Sequence, residues 1–239
     1  MLTLHAAAAT DIGRVRRENQ DRFLLDAAGR LFGVADGIGG LPGGAEAAQL
    51  AVEAFARWMA ADGSADPDLA AALREANDSV ALLGRRISPA VGIGTTLTVG
   101  SLTGNALRLA HVGDSRCYGW RGGALELLTE DHSVENEARH RRARGEKVYF
   151  QASQRGALTR CIGQPPPLEV DVIVRPMLAG DRYVFCTDGI SRLVADLELR
   201  DLLATTEVPQ DVVDRLVEVA LRRGGPDNAT AVAVYVEAG

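Results

Sequence analysis

The chain has little of what disulfide-stapled, membrane-spanning or nucleic-acid-binding proteins need. Its three cysteines, Cys117, Cys161 and Cys186, are scattered, odd in number and never at C-x-x-C spacing. That argues against a disulfide framework or a zinc site and for a reducing compartment. No run approaches the roughly 18 apolar residues of a membrane span. The opening, Met1 to His5 and then four alanines, lacks the basic region, apolar stretch and cleavage site of a signal peptide and reads as a first strand. Net charge is −6 with no dominant basic stretch, which gives a nucleic-acid role little support. The expectation is a cytoplasmic protein with no membrane insertion and no nucleic-acid partner. Internal repeats and low-complexity linkers are also missing, so residues 1–239 are expected to form a single domain, ample in length for a buried core.

What is present is ordinary for a globular protein, 46% hydrophobic and 24% charged, but strongly patterned. Short apolar, β-branched segments fall at about 2–9, 22–26, 30–35, 93–101, 105–112, 115–120, 124–128, 168–174, 181–187 and 228–237. Turn signals such as Thr103-Gly104-Asn105 and Arg121-Gly122-Gly123 separate them, which predicts antiparallel hairpins rather than βαβ units. Helical spacing appears at 44–61, after Pro67 and after Pro209. Strands in groups and helices in pairs predict an α+β fold, with helices on the outer faces of stacked antiparallel sheets. Residues 131–156 are polar and rich in arginine; they read either as a solvated helix–loop or as a functional loop.

Three acids stand at the ends of apolar runs: Asp36 before Gly37, Asp188 before Gly189, and Asp227 before Asn228. One Asp-Gly is more simply a turn. The combination is more telling, and Asp21 and Asp114 sit at similar strand boundaries. A site of carboxylates, backbone carbonyls and water suits hard cations such as Mg or Mn. Two such ions can activate water and stabilise an in-line displacement at phosphorus. Arg16, five residues before Asp21, would supply the guanidinium fork that matches phosphate oxygens.

In order, Arg16-x-x-x-Gln20-Asp21, Val34-Ala35-Asp36-Gly37-x-Gly39-Gly40, Gly94-Thr95-Thr96, Gly113-Asp114-Ser115-Arg116, Asp131-His132-Ser133, Leu158-Thr159-Arg160-x-x-Gly163, Thr187-Asp188-Gly189 and Asp227-Asn228 resemble the metal-dependent, type 2C class of protein serine/threonine phosphatases in its compact bacterial form. The resemblance runs from about residue 10 to 236. It implies a four-layer α-β-β-α sandwich and hydrolysis of phosphoserine and phosphothreonine by direct attack of a metal-bridging water. It also implies roles: Asp36 bridging two central Mn or Mg ions, Asp188 and Asp227 completing one, the Gly37 carbonyl serving the other, and Asp114 with Asp188 holding a third, weaker ion. Arg16 would bind the substrate phosphate, Asp21 would orient metal-bound waters, and 131–156 would be a flap beside the site. Implied partners are phosphorylated proteins, among them substrates of a Ser/Thr kinase and the kinase itself, for a monomeric enzyme.

Three positions depart from the pattern. Gln20 stands where many members have Glu, which predicts weaker binding of the second metal. Ile38 stands where eukaryotic members carry a His proposed as general acid, so the leaving-group proton needs another source. The flap is more basic than usual. His132 is a candidate proton donor or, more simply, a structural residue, and His111 reads as a satisfied core residue. The rival readings are a metal- and phosphoprotein-binding module with weak or no turnover, cysteine catalysis and nucleotide binding. Cys186 and Arg192 do have C-x5-R spacing, but Asp188 interrupts the glycine-rich cradle such chemistry needs. The glycine-rich stretch 37–44 meets Pro42 at its last G-x-G-x-x-G position and no Gly-Lys-Ser/Thr follows.

Overall fold

A computed structural model of the chain describes residues 2–39, 42–64 and 66–239; Gly40 and Leu41 of the glycine-rich stretch lie outside the described residues. Ten strands form two antiparallel sheets. Strands β1 (Leu2–Asp11), β10 (Ala229–Ala238), β9 (Arg182–Cys186), β6 (Arg116–Arg121) and β7 (Ala124–Leu127) make one, in that order. Strands β2 (Asp21–Asp26), β3 (Leu31–Asp36), β4 (Leu97–Thr103), β5 (Ala106–Val112) and β8 (Asp171–Pro176) make the other.

The two-residue side-chain period of the strands divides the core into three layers. On β3, Phe32 and Val34 point between the sheets, whereas Leu31 and Ala35 face helices α1 (Gly44–Asp62) and α2 (Leu69–Ile87). On β10, Val232, Val234 and Val236 point between the sheets. Its Ala231, Ala233 and Tyr235 instead meet the short helix α4 (Asp188–Ser191), α5 (Asp196–Thr205) and α6 (Pro209–Arg222). Three apolar interfaces therefore separate four layers, α-β-β-α, as the resemblance implied. The small residues on β10 let α6 approach closely. Helix α6 buries Val212, Val213, Leu216 and Ala220 on one face, at about 1.5–3 kcal/mol for each large side chain.

Strand and helix positions follow the sequence expectation closely, with instructive exceptions. Strand β4 begins at Leu97 rather than 93, because Thr95 instead bridges Gly37 and Ile162 across the site. Strand β8 begins at Asp171 rather than 168, after a proline run that cannot donate ladder hydrogen bonds. Helices α4 and α5 were not anticipated. In α5, Leu199 and Leu203, one helical turn apart, are the residues that pack inward. Within 131–156, helix α3 (Val134–Ala143) buries only Ala138, so apolar periodicity could not reveal it. Its caps could: Ser133 accepts from the Asn136 amide, acids occupy the first turn and bases the last.

Candidate active site and metal centre

Antiparallel pairing brings the acids to one edge. Asp36 ends β3 and pairs in register with Asp21, which begins β2. Asp188 follows the end of β9, and Asp227 precedes the start of its neighbour β10. Asp114 lies in the link from β5 to β6, where the chain crosses from one sheet to the other. Five acids 206 positions apart at the extremes of the chain thus meet where both sheets end. The glycines after Asp36 and Asp188 make the closure possible. A Cβ on Gly37 would overlap the Gly44 carbonyl oxygen, and one on Gly189 would overlap that of Asn228.

The backbone beneath the acids is held rigidly. The Asp36 amide donates to Thr96 Oγ1 (2.9 Å), and its carbonyl accepts from Thr95 Oγ1 and the Thr96 amide, both at 2.8 Å. Asn228 donates to the Ile12 and Glu18 carbonyls and accepts from the Gln20 amide, pinning the Arg16-bearing loop against the start of β10. Gln20 also accepts from the Gly37 amide through its carbonyl.

The carboxylates themselves are not satisfied in this way. Asp21 is 2% exposed; its Oδ2 accepts from Thr187 at 2.8 Å, while its buried Oδ1 has no hydrogen-bond partner. Burial, joined by the charges of Asp188 and Asp227, pushes Asp21 up to about 7. Burial, then Asp21, Asp188, Asp114 and Asp227, hold Asp36 well above the usual carboxylate range. Asp114 is pushed up to about 7, again by burial first and then by Asp188. Asp188 is also raised, by burial first and then by Asp227, with Arg192 acting against them. Such a group of buried acids calls for cations. Two are built in: Arg16 Nη2 contacts Asp227 Oδ2 at 2.6 Å, and Arg192 Nη2 contacts both Asp188 Oδ2 at 2.8 Å and Asp114 Oδ2 at 3.1 Å.

All of these except Asp21 line one cavity of about 840 Å³, together with Gln20, Gly37 and Ile38. Ser153, Gly156, Ala157 and Leu158 form its other wall, so the 131–156 segment does border the site. The donor set is oxygen only, which fits hard divalent cations, and the unpartnered Asp21 Oδ1 fits a bound water or cation. The acids share the cavity without closing into a coordination sphere: among the described residues no three His, Cys, Asp or Glu side chains are gathered that tightly. Asp227, Asp114 and Asp188 are instead turned onto the two arginines.

The structure brings together Arg16, Asp21, Asp36, Gly37, Asp114, Asp188 and Asp227. One further group sits among them. The space between Asp114 and Asp188, where the resemblance implied a third ion, already holds the Arg192 guanidinium. Sequence reasoning weighed Arg192 only as half of a C-x5-R motif; the available signal was its position four residues after Asp188, one turn along a helix. Cys186 is buried and pushed up to about 12, so it is no thiolate nucleophile.

The histidines resolve in favour of structure. The Gly113 amide donates to His132 Nδ1 at 3.1 Å, so Nε2 carries the proton and donates to Asp171 Oδ2 at 3.1 Å. Arg160 holds the other Asp171 oxygen at 2.8 Å. His111 Nε2 donates to the Glu130 carbonyl, and Thr98 Oγ1 lies 2.9 Å from its Nδ1. The two rings sit 4.6 Å apart, neither lining the acid cavity.

The chain matches the family model described as protein phosphatase 2C over residues 14–229. It is 37% identical to the serine/threonine protein phosphatase PstP of Mycobacterium tuberculosis over 98% of this chain and 45% of that protein. It thus spans about half the length of that curated relative. It is 29% identical to the serine/threonine phosphatase stp of Listeria welshimeri, covering 97% of this chain and 95% of that protein. Among solved structures, the catalytic domain of PstP in complex with two manganese ions superposes with a TM-score of 0.85 at 35% identity, covering all of both chains. Among the described residues no helix is long and apolar enough to cross a membrane. With matching fold, motif order and coverage, the chain belongs to the protein phosphatase 2C family.

Proposed function

We propose that residues 1–239 form a single catalytic domain that hydrolyses phosphoserine and phosphothreonine in proteins, using Mn or Mg. The observation that carries this reading is the convergence of Asp36, Asp114, Asp188 and Asp227, from both sheets, beside Arg16 on one open cavity, with Asp21 buried behind Asp36. Family membership and the names of the relatives support the same reading. Two divalent ions would activate water and offset the charge on the phosphate oxygens. Asp36, Asp188, Asp227 and the Gly37 carbonyl would hold them. Asp21, anchored through Thr187, would orient the attacking water. Arg16, partly exposed beside Asp227, would grip the phosphate and hold the phosphorus in line.

Ile38 has no proton to give, and both ring nitrogens of His132 are engaged. Water in the cavity is left to protonate the departing serine or threonine oxygen. Substrates would be phosphorylated proteins, including those of a Ser/Thr kinase and the kinase itself. Cysteine usage supports a cytoplasmic setting, and a monomer suffices because every proposed group comes from one chain. Mn-dependent release of phosphate from a phosphothreonine peptide, with Asp188→Asn as control, tests the reading. Mn binding without turnover would replace it with the binding-module alternative.

A further inference from the structure

We propose that the Arg192 guanidinium takes the place of a third divalent cation between Asp114 and Asp188, so that this centre holds two ions and not three. The inference rests on the metal-centred reading above. Asp114 is 7% exposed and the Asp188 side chain 13%, and two carboxylates that face one point attract a cation there. One nitrogen supplies it: Nη2 has two hydrogens, and it lies 2.8 Å from Asp188 and 3.1 Å from Asp114. A divalent ion would need those same oxygens at roughly 2.1 Å, in the space the nitrogen fills.

The arginine is held where it works. The Arg192 amide donates to the Asp188 carbonyl at 2.9 Å, closing the turn that sets donor and acceptor on one side of α4. Gly156 leaves room for the guanidinium; a Cβ there would stand 3.2 Å from Nη2. Tethering gives the charge a high local concentration that a free ion must outcompete. Arg192 is a positioning residue here: it holds the Asp114 and Asp188 carboxylates on one guanidinium.

Counting Mn by titration calorimetry, and by anomalous scattering from crystals grown in excess Mn, tests this. The expected result is two Mn in the wild type and in Arg192→Lys, which keeps a cation. Arg192→Ala gains a third, weaker Mn, lost again when Asp114→Asn is added. Three Mn in the wild type, or no third Mn in a folded Arg192→Ala, overturns the proposal and leaves the phosphatase reading standing. No Mn at all in the wild type overturns both.

Discussion

Asp21 and Asp114 are buried, with Asp36 and Asp188 half-buried beside them, and His111 and His132 are buried too, but the two groups differ in what surrounds them. Each histidine nitrogen has a partner within the chain, and the Arg160–Asp171 pair closes the network. The acids have too few donors: Asp21 Oδ1 has no partner, and the five carboxylates face two guanidinium groups. A buried polar network that satisfies itself rigidifies a fold. One that does not carries a cost to stability, which a bound cation would offset.

That contrast can be broken most directly at the acids. Asp36→Asn is expected to lower turnover on the order of 10³-fold, the scale of losing one preorganised charge-stabilising group. Chelated Asp36→Asn should be at least as stable as chelated wild type, because a charge leaves a repulsive cluster. Near-normal hydrolysis of a phosphothreonine peptide would sink the site assignment. Manganese at about a hundred times its dissociation constant should stabilise the wild type by about 2.7 kcal/mol for each ion bound in urea unfolding; an unchanged midpoint would mean the acids do not need cations.

The histidine side should respond in the opposite manner. His132→Ala strands the Gly113 amide and one Asp171 oxygen, and should cost about 1–3 kcal/mol of stability. Its kcat should stay within about threefold; a large loss at normal stability would restore His132 as a proton donor. Acid also separates the clusters. Burial, then His132, lowers His111 to about 4 from its ordinary 6.5. The unfolded chain therefore takes up a proton that the folded chain refuses, and stability contributed by His111 falls as the pH drops from about 6.5 to about 4. The loss should approach about 1.4 kcal/mol for each pH step of one in the middle of that window. His111→Gln should remove it, and an unchanged pH dependence would refute the assignment. The acids titrate with the opposite sign: chelated protein loses their contribution as the pH rises from about 4 toward the values near 7 of Asp21 and Asp114. Comparing variants isolates the histidine part. The smallest effect is expected from Arg16→Ala, a rise of about tenfold in KM with kcat little changed. A fall in kcat alone would assign Arg16 to the reaction step instead.

Much of this was legible in the chain because the signals are local. The apolar run at about 30–35 marked β3 as a strand. The apolar period of Val212, Val213 and Leu216 marked α6. The Asp-Gly pairs marked strand ends where a backbone turns tightly. What stayed hidden lacked a local signature. Helix α3 buries one alanine, so its evidence lay in its caps and not its period. Arg192 looked like part of a cysteine motif until β9 and the β5–β6 link placed Asp114 beside it.

The sequence by itself determined the layers, the oxygen-only chemistry of the site and the identity of its acids. These depend on residue type and on spacing along one strand or helix. Tertiary structure alone decided which charges meet. Asp188 finds Arg192 four residues away, but Asp114 joins them from 78 positions distant, and Asp21 receives its hydrogen bond from Thr187, 166 positions on. Charge neutralisation and hydrogen-bond satisfaction act through space at a few ångströms, and only the folded sheets bring those partners within reach.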